Sequence, residues 1–191
     1  ELARQDAAAA LARLDELLRA VVDGPYALDA RAGRAWCLLR FGKPADAAAA
    51  ARAVLATQPA QRGDELAFLL GEALLDAHDA RGALEAYRTV GTGTYSDAAA
   101  RGEGFALAEL GDHAGAARAF ARVVAEFPKS QHVGECALHA GIELLASGDA
   151  AGAAAALARG ELDRDPEALA WRARAQAKSG ARDAALATLA R

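Results

Sequence analysis

One spacing governs what this chain can fold into. A small residue is followed three positions on by leucine, four after that by glycine and five further by alanine. The set comes round five times: Ala35-Leu38-Gly42-Ala47, Gly71-Leu74-His78-Ala83, Gly104-Leu107-Gly111-Ala116, Gly141-Leu144-Gly148-Ala153 and Ala173-Gln176-Gly180-Ala185. The turn positions 42, 78, 111, 148 and 180 are 36, 33, 37 and 32 residues apart. Self-similarity at about 34 residues predicts stacked helix-turn-helix units, since one unit cannot bury its apolar face alone and stacking gives a continuous core. Alanine supplies 57 of the 191 residues, so chance matches are the competing explanation. Five copies in register, with a correlated turn glycine, argue against it.

The same spacing predicts helix pairs at 28–41 with 44–57, 64–77 with 80–90, 97–110 with 113–126, 131–147 with 150–160 and 166–179 with 182–190. Approximate repeats are then 28–61, 64–96, 97–130, 131–165 and 166–191, forming an array over 27–191. Residues 1–26 precede it as a capping helix or truncated repeat, with an amphipathic helix over 2–22 carrying Leu11, Leu14, Leu17, Leu18 and Val21. In the third copy Ser96 or Asp97 caps the first helix, Gly111-Asp112 makes the turn, and Pro128 ends the second. Gly71, Gly104 and Gly141 fall inside helices, where glycine costs about 1 kcal/mol against alanine. Close approach of the second helix offsets this. Each glycine is expected to face Ala83, Ala116 or Ala153, while Tyr87, Phe120, Leu157 and Leu189 fill the space between repeats.

Charge and composition narrow the function. Net charge is −4, with both signs interspersed. No clustered positive footprint of the kind nucleic acid requires is present. No apolar run approaches the 18 or so residues of a membrane span. Cys37 and Cys136 lie 99 residues apart, in the first and fourth copies. In a repeat stack only neighbours touch, so two thiols are expected rather than a disulfide, which favours a reducing compartment. The chain has no methionine, and Arg191 lies within a helical pattern, so a piece of a longer chain is expected.

These residues resemble the tetratricopeptide repeat family. Its motif runs small residue, large residue, glycine, alanine, aromatic or large residue, small residue, proline. The third copy fits it best, with Gly104, Leu107, Gly111, Ala116, Phe120, Val123 and Pro128, and the first fits with Ala35, Leu38, Gly42, Ala47, Val54 and Pro59. The family's early tryptophan is missing from every copy, where Arg31, Ala67, Ala100, Ala137 and Leu169 stand. The resemblance implies an all-α, right-handed α-α superhelix of about five repeats plus an N-terminal helix. It also implies a non-enzymatic protein-protein interaction scaffold. Phe127-Pro128-Lys129-Ser130 further resembles a junction of bacterial envelope repeat proteins, of the Tol-Pal coordinator or outer-membrane assembly lipoprotein type. That implies the cell envelope or periplasm, with the cytoplasm as the alternative.

In the family, two inward places on each first helix meet the ligand. Here they hold Ala32/Trp36, Phe68/Glu72, Arg101/Phe105, Leu138/Ile142 and Ala170/Arg174. The family's carboxylate clamp needs asparagine, and this chain has none. The concave face is instead expected to present Trp36, Phe68, Glu72, Arg101, Phe105, Leu138, Ile142 and Arg174 to an apolar or amphipathic peptide or helix, the arginines pairing its carboxylates. The alternative is that neighbouring helices, or further chain, cover these side chains. A second functional reading is a regulatory or spacer segment of a larger multidomain enzyme or receptor.

Enzyme and metal chemistry find little support. His132, Cys136 and His139 share a helical face, but three ligands spread over about 10 Å at 1.5 Å per residue are too far apart for one tetrahedral ion. Ser96, Ser130, Ser147 and Ser179 sit where caps sit. Gly91-Thr92-Gly93-Thr94 lacks the lysine and preceding strand of a phosphate loop. Asp112 and Asp149 read as local backbone acceptors. No catalytic residue, cofactor or metal is expected.

Overall fold

The structure is a computed structural model that describes residues 2–21, 23–58 and 61–190. Val22, at the end of the expected first helix, Pro59, expected to close the first copy, and Arg191 lie outside the described residues. Eleven α-helices and one 3-10 turn are found among the described residues, and no strand. They are α1 (Leu2–Ala20), α2 (Pro25–Arg40), α3 (Pro44–Leu55), α4 (Gly63–Asp76), α5 (Ala80–Arg88) and α6 (Ser96–Glu109), then α7 (His113–Glu126), α8 (Val133–Ala146), α9 (Ala150–Ala156), the 3-10 turn Gly160–Leu162, α10 (Pro166–Lys178) and α11 (Arg182–Leu189). Helices α2, α4, α6, α8 and α10 are the first helices of the five copies.

The turn residue of every copy has left-handed backbone geometry. Its φ is 77° at Gly42, 60° at His78, 80° at Gly111, 97° at Gly148 and 88° at Gly180. Glycine enters that region without a Cβ clash; His78 is the one copy that does without it. The amide that follows each turn residue donates to the carbonyl of Leu38, Leu74, Leu107, Leu144 or Gln176 at 2.8–2.9 Å. This is the Schellman closure of a helix end, and it explains the fixed interval from the recurring leucine to the turn. Asp79, Asp112 and Asp149 then cap the next helix, accepting from the amides of Gly82, Gly115 and Gly152 at 3.0, 2.8 and 2.8 Å.

Helix limits move where local chemistry differs from the periodic expectation. Helix α2 begins at Pro25 rather than 28, because Gly24 turns the chain at φ 104° and Pro25 suits a first helical turn. Helix α8 starts at Val133, with His132 as its cap, rather than at 131. Helix α9 stops at Ala156 rather than 160 and gives way to the 3-10 turn.

The chain forms two compact units, Glu1–Gly102 and Glu103–Arg191. In the first, α1 packs on α2, α2 on α3, α3 on α4 and α4 on α5, while α2 also meets α4. Its core repeats as triads drawn from consecutive helices: Ala32, Val54 and Leu66, then Ala35, Ala51 and Leu69. Leu14 of α1 sits against Gly33, 3.6 Å from where a Cβ would stand. In the second, α7 packs on α8, α8 on α9, α9 on α10 and α10 on α11, and α8 meets α10. Its triads are alike, for example Leu145, Ala153 and Ala175.

The expected partners of the mid-helix glycines need correction. The atoms nearest a Cβ on Gly71, Gly104 and Gly141 belong to Tyr87, Phe120 and Leu157, at 2.5 Å for the first two, rather than to Ala83, Ala116 and Ala153. The alanines are buried, but the glycines make room for the large side chain, one turn on. Tyr87 also lies against Gly102 and so does reach toward the next helix. Leu189 does not fill a gap: it is 65% exposed on α11. The odd Gln176 of the fifth copy accepts a hydrogen bond from Thr188 at 2.8 Å, which accounts for a polar residue at a leucine position.

Candidate functional site

In the first unit the face of the first helices is built on a polar and aromatic network. Trp36 of α2 donates through Nε1 to Glu65 Oε1 at 2.9 Å. Arg62 grips the same carboxylate from its Nε and Nη2, both at 2.7 Å, and reaches Asp29 through Nη1 at 2.7 Å. A two-pronged guanidinium–carboxylate pair of this kind is geometrically specific. The Arg62 bonds hold the Glu65 carboxyl below its usual range and push the Arg62 guanidinium up. Hence Trp36 is tied to the next copy.

Phe68 is only 9% exposed. Its ring lies 6.3 Å from Trp36, 6.2 Å from Tyr87 and 5.3 Å, stacked, from Tyr95. It forms the floor of this face, and Tyr95 folds over it from the connection between α5 and α6. Glu72 accepts the Tyr87 hydroxyl hydrogen at 2.5 Å. Arg101 lies close enough for its charge to act on Tyr87. Trp36, Phe68, Glu72 and Arg101 therefore form one connected cluster, with Tyr87 at its centre.

Burial, with help from Glu72, pushes the Tyr87 hydroxyl well above the usual tyrosine value. A raised folded-state value favours the protonated form, so the stabilisation is complete below the unfolded value of about 10 and is lost as pH rises beyond it. Thermal midpoints of wild type and Tyr87→Phe at pH 8 and pH 11 check this. The wild type is expected to lose more stability between the two; equal losses would exclude Tyr87 as the source.

In the second unit Phe105 is half-buried. Its ring meets Phe120 edge-on at 5.0 Å and His139 at 4.8 Å, and His139 in turn stacks on Phe120 at 5.4 Å. Leu138 and Trp171 are half-buried against a core of Ala137, Leu157, Leu162 and Ala168. Ile142 is half-buried as well. Arg174 is exposed, its guanidinium 5.2 Å from the centre of the Trp171 ring, a cation–π distance. Trp171 is oriented by Glu167, which accepts from its Nε1 at 3.4 Å.

The residues weighed as metal ligands go to separate surroundings. His132 lies 3.8 Å from Glu135, Cys136 is fully buried, and His139 joins the aromatic cluster. Glu143, one turn beyond His139, pairs with His113 Nδ1 at 2.7 Å. Among the described residues no group of three or more metal-ligating side chains is assembled, and no helix is long and apolar enough to cross a membrane. Cys37 and Cys136 form no disulfide. Gly91 and Gly93 are bound by Asp64 and Ser96, which makes their loop a locked connection.

Several residues that shape the face were missed in the sequence. Arg62, Glu65 and Tyr95 carry polar and aromatic contacts in the first unit, and Trp171 does so in the second. Glu65 stands one helical turn before Phe68, which is a signal of shared facing. The Arg62–Asp29 pair, 33 residues apart, gave no signal short of the fold itself.

No protein-family model matches the chain. No curated protein matches it. Among solved structures it is similar to a tetratricopeptide repeat protein from Parabacteroides merdae, with a TM-score of 0.72 and 17% sequence identity over 96% of this chain and 71% of that one. The fold is therefore an all-α array of tetratricopeptide-like helical repeats.

Proposed function

We propose that the chain is a non-enzymatic protein-interaction module whose second unit takes a peptide or helix bearing a carboxylate beside apolar side chains. Folds of this kind generally mediate protein–protein contact, and a fold by itself names no ligand. The observation that carries the reading is Arg174. Its guanidinium lies against Trp171, exposed, with no carboxylate partner among the described residues. A guanidinium resting on a ring has less rotamer freedom to lose when a carboxylate arrives. Half-buried Leu138, Ile142 and Phe105 supply apolar contact in the same unit. The envelope placement gains no support. Ser130 accepts from the His132 amide at 3.1 Å, ordinary turn capping that any helical repeat can use.

Selection of displayed peptides on the whole chain tests this. Enriched peptides should combine Asp or Glu with large apolar residues and should lose about tenfold or more in affinity to Arg174→Glu, about 1.4 kcal/mol. Phe105→Glu should weaken them too, with the helical spectrum unchanged. Peptides indifferent to both changes would refute the site.

A further inference from the structure

The second helices share one rule of coverage, and α11 departs from it. Leu189 stands in register with Ala51, Tyr87, Phe120 and Leu157, each 0–1% exposed. In every earlier copy a residue of the following first helix lies at that place: Leu69 by Ala51, Gly102 on Tyr87, His139 on Phe120 and Trp171 by Leu157. Leu186 matches Ala48, Leu84 and Ala117, which are buried likewise. On α11 the two places are 65% and 67% exposed. A repeat face that meets water is polar; this one carries two leucines.

The charge on the same stripe says what fits. Arg182 lies one turn before Leu186, on one helical face with it. It is exposed and has no ion-pair partner among the described residues. Its counterparts Pro44, Ala80, His113 and Ala150 are buried or half-buried, so this place too belongs to the surface that a next helix covers. In the third copy it is His113. There Glu143 of the covering helix α8 pairs with it at 2.7 Å, one turn beyond the His139 that lies on Phe120. Asp183, the other charge in the first turn of α11, falls outside the stripe: its counterparts Ala45, Arg81, Ala114 and Ala151 are exposed in every copy. We infer that the free face of α11 docks a helix of another protein, which sets an apolar residue on Leu189 and, one turn further along, a glutamate on Arg182. Helices α2, α4, α8 and α10 are each already packed between two others, so a second copy has none of these to offer. The surface uses none of Phe105, Leu138, Ile142 or Arg174 and is separate from the peptide face.

The test uses the full-length protein and a fluorescent eighteen-residue helical peptide with a leucine stripe and a glutamate one turn after each leucine, compared with the same peptide carrying lysine for glutamate. Anisotropy should show the glutamate peptide binding more tightly by about tenfold or more. Arg182→Glu should reverse that preference. Leu189→Asp should weaken the glutamate peptide about tenfold or more, with the helical spectrum unchanged because the side chain is exposed. Leu110→Asp, at another exposed leucine of the same unit, should change nothing. Equal binding of the two peptides, a preference that survives Arg182→Glu, or no binding at all would each overturn the proposal. So would a loss on Phe105→Glu as large as that on Leu189→Asp, which would seat the peptide on the other face. A chain that dimerises through α11, seen as Leu189→Asp converting a dimer to monomer while the peptide stays unbound, would overturn it too.

Discussion

Replacing Tyr87 with alanine is expected to destabilise the first unit by about 3–5 kcal/mol, the cost of deleting a large buried ring. The side chain is 1% exposed and sits between Gly71 and Gly102, so the two positions it lies against carry no side chain to fill the space. A cavity is costly in proportion to how little its walls collapse. Removal also strips Glu72 of the hydroxyl it accepts from and takes one ring from the Phe68 cluster. In a protein of this length such a loss lowers the melting temperature by roughly 6–20 °C. Tyr87→Phe keeps the ring and should cost about 1 kcal/mol, the net worth of one hydrogen bond. Denaturation followed by far-UV circular dichroism reads both. A Tyr87→Ala loss under about 1.5 kcal/mol, similar to that of Tyr87→Phe, would mean that the glycine slot closes on itself.

What could be read from the sequence follows from what is local. The five turn positions were legible because left-handed backbone geometry and helix closure act within a few residues, and the leucine-to-glycine interval records that geometry directly. The apolar periodicity of α4, α6 and α8 placed those helices to within a residue or two. The interior glycines were recognised as steric accommodations, but their partner was misassigned. Spacing alone cannot tell whether Phe120 or Ala116, one turn apart on the same helix, lies deeper. The candidate face was less legible. Trp36 could be placed on it, yet the bond to Glu65 spans 29 residues and depends on which long polar side chain of the next copy reaches back. Tyr95 lies on a connection, where no periodicity acts to point it at Phe68, and it nevertheless covers that ring. The charge of Arg174 was evident; its support by Trp171 required the fold.

Gly104→Val tests the steric reading of the repeat from the opposite direction. A Cβ alone at this position would stand 2.5 Å from the Phe120 ring, closer than real contacts come, and valine adds two methyl groups. Phe120 is fully buried and packs against both Phe105 and His139, so the ring cannot turn aside without disturbing them. Overpacking of this kind costs about 1–3 kcal/mol and occasionally more. The few tenths that valine gains over glycine in helix propensity cannot offset it. The loss is expected near 3 kcal/mol. Phe120→Ala alone should cost about 3–5 kcal/mol by opening a cavity beside Gly104. The two changes together place the new methyls in the space the ring has left. The double variant should then lose at least about 1 kcal/mol less than the sum of the singles, the size of coupling expected for residues in direct contact. Simple additivity would show that the glycine serves some purpose other than seating the ring. The repeat would then be organised by its alanines, as the spacing on its own suggests.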